Sequence, residues 1–372
     1  MKKLLGTTAL VAAAFATAPA MAADKIKAKV GGYMVHQVAA VFDIDQTLAA
    51  GQDDRSFSFG QEGEVHFKGS TTLDNGIEVG FKAELELADD STGLPAADTG
   101  GSGIDEAYIY VEGAFGEFQM GDQDGVGDQM PVVAPSPFLE TFANDTDLDP
   151  LASVGVSPNT VVDNSSDDTK VIYFTPRLAG FQAGISYAPE NNDIGWTAGN
   201  TGLIKDDNTD ENQFELGLTY ENSFNEIDLA ASFVYYTNEN GRNAGAANSI
   251  DEEDWALGAS VGFAGFTVGG SYSEKETGGT VNAANNSIAE DRQDWGLGAT
   301  YGTGPWTFGL EYAEANRDAV GGAGEIDTSA YIGGVGYSLG GGVNVSLGYL
   351  HKEDDVANQE GSALFTEFGI KF

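Results

Sequence analysis

The 372-residue sequence has no cysteine, so no disulfide holds it together. Basic side chains are scarce: 17 Lys and Arg stand against 58 Asp and Glu, a net charge of −41. Contacts to phosphate need a basic surface, so nucleic-acid binding is excluded. No apolar run reaches the ~18 residues that a transmembrane helix needs. Histidine is also rare, at His36, His66 and His351. His66 lies between Glu64 and Lys68 with no serine placed beside it as a nucleophile, so no hydrolase constellation can be assembled. What is plentiful argues against disorder. An acidic disordered chain is poor in aromatics, and this one has 21 Phe and 14 Tyr.

Residues 1–22 read as a processing segment. Lys2 and Lys3 form a positive start, Leu4 to Ala18 is a short apolar stretch, and Ala20-Met21-Ala22 is the small-x-small pattern after which signal peptidase cuts. The remaining residues, 23–372, alternate with a period of two. Lys25, Lys27 and Lys29 interleave with Ile26, Ala28 and Val30, and Glu62, Glu64, His66 and Lys68 oppose Val65 and Phe67. Asp74-Asn75-Gly76 is a tight hairpin turn, because Asn-Gly supplies the positive φ that such turns need. The pattern continues to Phe372 and predicts about sixteen strands joined alternately by short turns and long acidic loops.

The apolar faces place aromatics at both ends of a strand. Phe214-x-Leu216-x-Leu218-x-Tyr220 and Trp295-x-Leu297-x-Ala299-x-Tyr301 are two examples, and their opposite faces are Gly, Ser, Thr, Glu and Asp. Aromatic girdles at two membrane interfaces and a wet lumen fit this arrangement. A soluble sandwich also alternates, but it has no place for so many polar faces. The fold expected is all-β: a transmembrane antiparallel β-barrel of even strand count, which leaves no sheet edge.

One stretch breaks the alternation. Residues 122–169 hold Pro131, Pro135, Pro137, Pro150 and Pro158, many acids, and no Lys or Arg. A structureless loop of this length is uncommon unless it is functional. The expectation is a constriction loop folded into the lumen, with Val132, Val133, Phe138, Leu139 and Phe142 packed on the wall. Asp122, Asp124, Asp128, Glu140, Asp145 and Asp147 would line the aperture. Asp145, Asp147 and Asp149 also present carboxylates at alternate positions, the oxygen donors that Ca²⁺ takes. A solvated acidic run has the same spacing, and the stretch is no EF-hand, with Pro150 at position 6 and Val156 at position 12. No other cofactor is expected.

Three segments give the chain a family likeness: Gly69 through Asp74-Asn75-Gly76 to Gly80; Gly113 through Phe115-Gly116-Glu117-Phe118 to Asp122; and the end, Phe368-Gly369-Ile370-Lys371-Phe372. With the strand count, they resemble the general porins of Gram-negative outer membranes, of the alphaproteobacterial type. The resemblance implies a sixteen-stranded barrel, a homotrimer, outer-membrane lipid and lipopolysaccharide around it, and passage of ions and small hydrophilic solutes. It also implies that the third long loop forms an eyelet opposite a basic wall, here Lys27, Lys29, Lys68 and Lys82. The family often uses arginines there; this chain has lysines interleaved with Glu62, Glu64, Glu78 and Glu84. The terminal Phe372 resembles the signal read by the outer-membrane assembly machinery. The channel expected is passive and cation-preferring, not an enzyme. A substrate-selective channel and a structural barrel are the alternatives.

Overall fold

Strict alternation gives every strand one apolar and one polar face, and closing the sheet puts one face outside and one inside. The computed structural model describes residues 25–46, 53–87, 103–144, 147–155, 157–162, 164–190, 211–239, 251–281, 287–318, 325–355 and 358–372. The segment 1–22 lies outside them. Among the described residues there are sixteen strands: β1 (Lys27–Asp45), β2 (Phe57–Thr72), β3 (Glu78–Glu86), β4 (Ile104–Gly113), β5 (Gly116–Asp122), β6 (Thr169–Phe174), β7 (Phe181–Glu190), β8 (Glu211–Phe224), β9 (Ile227–Glu239), β10 (Glu253–Phe263), β11 (Phe266–Val281), β12 (Ser287–Thr303), β13 (Trp306–Asp318), β14 (Glu325–Gly340), β15 (Val343–Asp354) and β16 (Gln359–Lys371). Each pairs antiparallel with its sequence neighbours, and β1 pairs with β16 to close the barrel.

The short connections lie at one end and follow turn chemistry. Gly76 has φ 81°, Ala264 and Gly265 have φ 52° and 86°, and Asn225 and Glu226 have φ 53° and 96°. Such two-residue turns match the twist of the strands they join. The outer face is apolar, as at Phe59 (77% exposed) and Leu310 (69%). Aromatic pairs ring it at two levels. Phe181–Tyr220 (4.6 Å), Phe266–Tyr301 (4.4 Å) and Trp306–Tyr337 (4.4 Å) lie near the short turns; Trp255–Tyr272 (5.4 Å) and Trp295–Tyr312 (5.1 Å) lie further along the strands. Both expected girdles are present. His36 lies on this outer face, in register with Gln61 on β2 and Phe368 on β16.

Closure rests on the last residues. Ten successive pairs, from Tyr33↔Lys371 to Phe42↔Ser362, zip β1 to β16. Phe372 extends the zipper: its N–H donates to the Gly32 carbonyl and its carbonyl accepts from the Gly32 N–H, both at 3.0 Å. Deleting Phe372 removes this terminal pair together with an exposed outer-face aromatic. The expected outcome is a lower yield of heat-modifiable, folded protein in the outer membrane, measured by unheated against heated electrophoresis. An unchanged yield contradicts this role.

Candidate functional site

Between β5 and β6 the chain leaves the sheet. Asp122 and Thr169 still pair, and the unpaired segment is residues 123–168. It includes a four-residue helix, α1 (Val126–Gln129), too short to show a helical period in the sequence. The segment meets the wall through inward-facing positions of many strands, so it lies inside the barrel.

Its apolar residues find apolar patches on the inner wall. Phe138 packs on Phe365 of β16 with ring centroids 5.0 Å apart. Both belong to a buried cluster with Ala143, Leu151 and Val154 of the segment and Ala313, Ile332 and Leu350 of β13, β14 and β15. Val126 and Met130 pack on Ile172 and Phe174 of β6, and Val162 packs on Tyr236 and Ala256. Each large side chain buried in this way contributes about 1.5–3 kcal/mol. Leu139 lies against Gly369, whereas Val132, Val133 and Phe142 are only half-buried.

Glycine supplies the space. Inward positions under the segment lack side chains at Gly217, Gly258, Gly298, Gly309, Gly348 and Gly369, among others. A Cβ at Gly258 would collide with the Val132 carbonyl oxygen, and one at Gly348 would lie 2.5 Å from the Phe138 ring. Van der Waals contact needs more room than that.

Polar anchoring divides by sign. Wall carboxylates accept from the segment's amides and hydroxyls. Glu367 on β16 accepts from the N–H of Leu139 (2.8 Å), the N–H of Glu140 (3.1 Å) and the Thr141 hydroxyl (2.6 Å). Glu215 on β8 accepts from the Gly127 N–H (2.9 Å) and the Ser165 hydroxyl (2.6 Å). Glu311 takes the Ala143 N–H, Asp294 the Asn159 N–H, and Glu106 on β4 the Asp124 N–H, each at 3.2 Å. Wall cations take the segment's carbonyls. Lys275 donates to Val161 O (2.5 Å), Arg292 to Ser157 O (2.8 Å), and Lys170 to the carbonyls of Gln123, Ser165 and Ser166. Lys352 pairs with Asp149 at 2.7 Å. Hydrogen bonds to charged groups contribute roughly 1.5–3 kcal/mol each.

Apart from Glu106 on β4, these anchors run from β6 around to β16 and reach β1, where Gln37 donates to Thr141 at 2.5 Å. The inner face of β2–β4 carries charged side chains instead. Lys82 is ion-paired to Glu84 (2.8 Å) and Glu106 (2.5 Å). Lys29, Lys68 and Lys82 fall on one cross-strand row, and Lys27 is one inward position nearer the strand start. Near Glu62 of β2 and Glu367 of β16, Glu140 and Asp147 share a turn in which the amides of Asp147 and Leu148 both donate to the Glu140 carbonyl (3.2 and 2.9 Å). Burial, with Asp147, Glu62 and Glu367 close by, pushes the Glu140 carboxyl up to about 9.

The expected aperture acids therefore separate into two groups. Glu140 and Asp147 sit at the far end of the segment. Asp122, Asp124 and Asp128 sit at its root, where Asp122 accepts from the Thr169 hydroxyl and Asp124 and Asp167 lie beside Glu106. Asp145 is outside the described residues. Asp149 is held by Lys352, the Ser157 hydroxyl (3.0 Å) and the Leu151 amide (2.7 Å). Sequence reasoning missed Lys170, Lys275, Arg292 and Lys352, and the carboxylates Glu215, Glu311 and Glu367. Their one signal was inward parity opposite a segment that has no cation of its own.

A family model described as Gram-negative porin matches residues 7–357. No curated protein sequence matches the chain. Among solved structures, the anion-selective porin from Comamonas acidovorans is 17% identical with a TM-score of 0.63, covering 94% of this chain and 100% of that one. OmpT of Vibrio cholerae is 12% identical (TM-score 0.61; 95% and 100% covered). Salmonella typhi OmpF, in complex with daunomycin, is 14% identical (0.62; 93% and 98%). At these identities the likeness is one of fold.

The seating on glycine yields a test. Gly258→Val drives a branched side chain into the Val132 carbonyl, so the segment has to lift from β10. Single-channel conductance is expected to rise while heat-modifiable folding persists. Unaltered conductance contradicts the docking described.

Proposed function

Since the chain belongs to the Gram-negative porin family, a group of outer-membrane channels, we propose that it is a passive diffusion channel narrowed by residues 123–168 and selective for cations. The observation that carries this reading is the docking of an acidic segment, without Lys or Arg, across the inner wall. Solutes then pass between its free edge, with Glu140 and Asp147, and the β2–β4 wall. Size exclusion follows from that gap, and selectivity follows from its fixed charges.

The sign of selectivity is a matter of residues, not of fold, since one structure of the same fold is an anion-selective porin. Here part of the wall charge is balanced nearby: Lys82 pairs with Glu84 and Glu106, Arg292 with Asp294, and Lys352 with Asp149. Over the whole chain 58 acids stand against 17 bases, so the net fixed charge acting on permeating ions is negative. His66 Nε2 faces Glu64 and Glu84 rather than a serine, which supports a channel over a hydrolase. A homotrimer is supported by the polar His36–Gln61 pair on the otherwise apolar outer face, where a neighbouring protomer would shield it from lipid. Export would follow cleavage after Ala22. A solute-selective channel would differ by saturable, solute-specific block of the current.

Reversal potentials in a KCl gradient test the charge reading. K⁺ preference is expected at low salt and should weaken as salt rises, since the screening length falls to about 3 Å at 1 M. Glu140 adds a pH signature. Its folded value of about 9 lies above the ordinary carboxyl range, so it is protonated at neutral pH. Raising the pH through that value adds one negative charge at the aperture and should increase K⁺ preference. It should also remove the stability present below the ordinary carboxyl range, because the folded state binds the extra proton in between. Glu140→Gln should lack the step. Anion preference at low salt would overturn the cation reading.

A further inference from the structure

The inner face of β2 and β3 carries a cluster that ion sieving does not require. Glu64 and His66 are two residues apart on β2 and so share the lumen face, and Glu84 stands directly across from His66 on β3. His66 Nε2 lies 2.6 Å from Glu64 Oε2 and 3.0 Å from Glu84 Oε1. One imidazole nitrogen and two carboxylate oxygens thus lie within 4.8 Å of one another. The placement follows from backbone register, not from loop conformation.

We propose that Glu64, His66 and Glu84 form a binding site for a divalent transition metal of the zinc type on the lumen wall. Three observations support it. The donor set is one nitrogen with two oxygens, which suits zinc and its neighbours, whereas Ca²⁺ takes six to eight oxygens and Mg²⁺ holds its waters. Glu84 is 4% exposed, and its Oε1 stands between two cationic or nitrogen donors, His66 Nε2 at 3.0 Å and Lys82 Nζ at 2.8 Å. A metal ion between His66 and Glu84 would take over the His66 contact and keep this buried oxygen satisfied. The cluster also has supporting contacts of the kind that orient ligands. The Tyr33 hydroxyl shares its one proton between Glu64 Oε1 and Glu62 Oε1, both at 3.2 Å, which leaves Glu64 Oε2 toward His66. Its ring meets His66 edge-on at 6.2 Å.

Lys82 is the competing cation, 2.8 Å from Glu84 Oε1. It has a second partner in Glu106 at 2.5 Å, so a metal can take Glu84 while Lys82 stays paired. Glu64 and His66 side chains are 17% and 20% exposed, so the site opens to the lumen and leaves a coordination position for water. A bound ion there would sit beside the solute path and lower the current.

The test uses the full chain purified in detergent and then in planar bilayers. ZnCl2 binding by calorimetry is expected to show one ion per chain. His66→Ala and Glu84→Gln, checked for heat-modifiable folding, should each raise the half-saturating concentration at least tenfold, whereas His36→Ala should not. Tyr33→Phe should weaken binding by about tenfold, the usual effect of losing an orienting contact. In bilayers, zinc should reduce the current of the wild type and not of His66→Ala; CaCl2 at equal concentration should do neither. Zinc binding that is equal in wild type and His66→Ala overturns the proposal, as does displacement of zinc by equimolar calcium. Zinc binding in a protein that carries no current would leave this site standing and count against the channel reading instead.

Discussion

Carboxylates on the inner wall hold the backbone of a segment that has no cation with which to pair. Glu367, Glu311, Glu215, Asp294 and Glu106 are spread over five strands, and each accepts amide hydrogens from residues 123–168. A long unpaired segment exposes many backbone groups, and these groups have to be satisfied wherever water is excluded. Wall acids satisfy the donors, and wall cations satisfy the acceptors at Ser157, Val161, Ser165 and Ser166. The segment stays inside because its polar backbone is matched and its apolar side chains are buried there, with Lys352–Asp149 adding a side-chain ion pair.

This division has an electrostatic consequence. Of the four anchoring cations, Arg292 and Lys352 are balanced by Asp294 and Asp149, while Glu140 at the tip of the segment lies close to the acids Asp147, Glu62 and Glu367. Burial and crowded like charges both raise the proton affinity of a carboxyl, and together they push Glu140 well above the ordinary carboxyl range. Glycine makes the arrangement sterically feasible. A barrel wall with side chains at Gly258, Gly298, Gly309 and Gly348 would leave no room for the backbone that lies over them.

Local pattern carried much of the fold. Alternation marked the strands, Asn75-Gly76 marked a turn that has the expected positive φ at Gly76, and the aromatic spacing marked both girdles. The break at 122–169 was visible as a loss of alternation, although Asp122 and Thr169 turn out to pair. The short α1 was not visible, because four residues are too few to show a helical period. The anchors were illegible for another reason. Glu367 meets Leu139 across 228 residues, and Lys352 meets Asp149 across 203. Which strand stands opposite which part of the loop is set by closure of the whole barrel. Inward parity marks a residue as lumenal but does not say what it touches. Nor could the spacing of Asp145, Asp147 and Asp149 show that Lys352 on a distant strand pairs with Asp149.

A double-cysteine pair in this cysteine-free chain tests most directly whether the segment rests on the wall of the lumen. A Cβ built at Gly296 of β12 would lie 3.2 Å from the Cβ of Asn144, and its three nearest neighbours are all atoms of the Asn144 side chain, which the substitution replaces; a shift of a few tenths of an ångström brings the pair toward the ~3.8 Å typical of disulfides. Asn144→Cys combined with Gly296→Cys is expected to form an intrachain disulfide in the folded protein under mild oxidant. Because the crosslink holds the segment where it already lies, single-channel conductance should stay at the wild-type value. Cysteines that remain reduced in folded protein, or a disulfide that changes the conductance severalfold, would contradict the account.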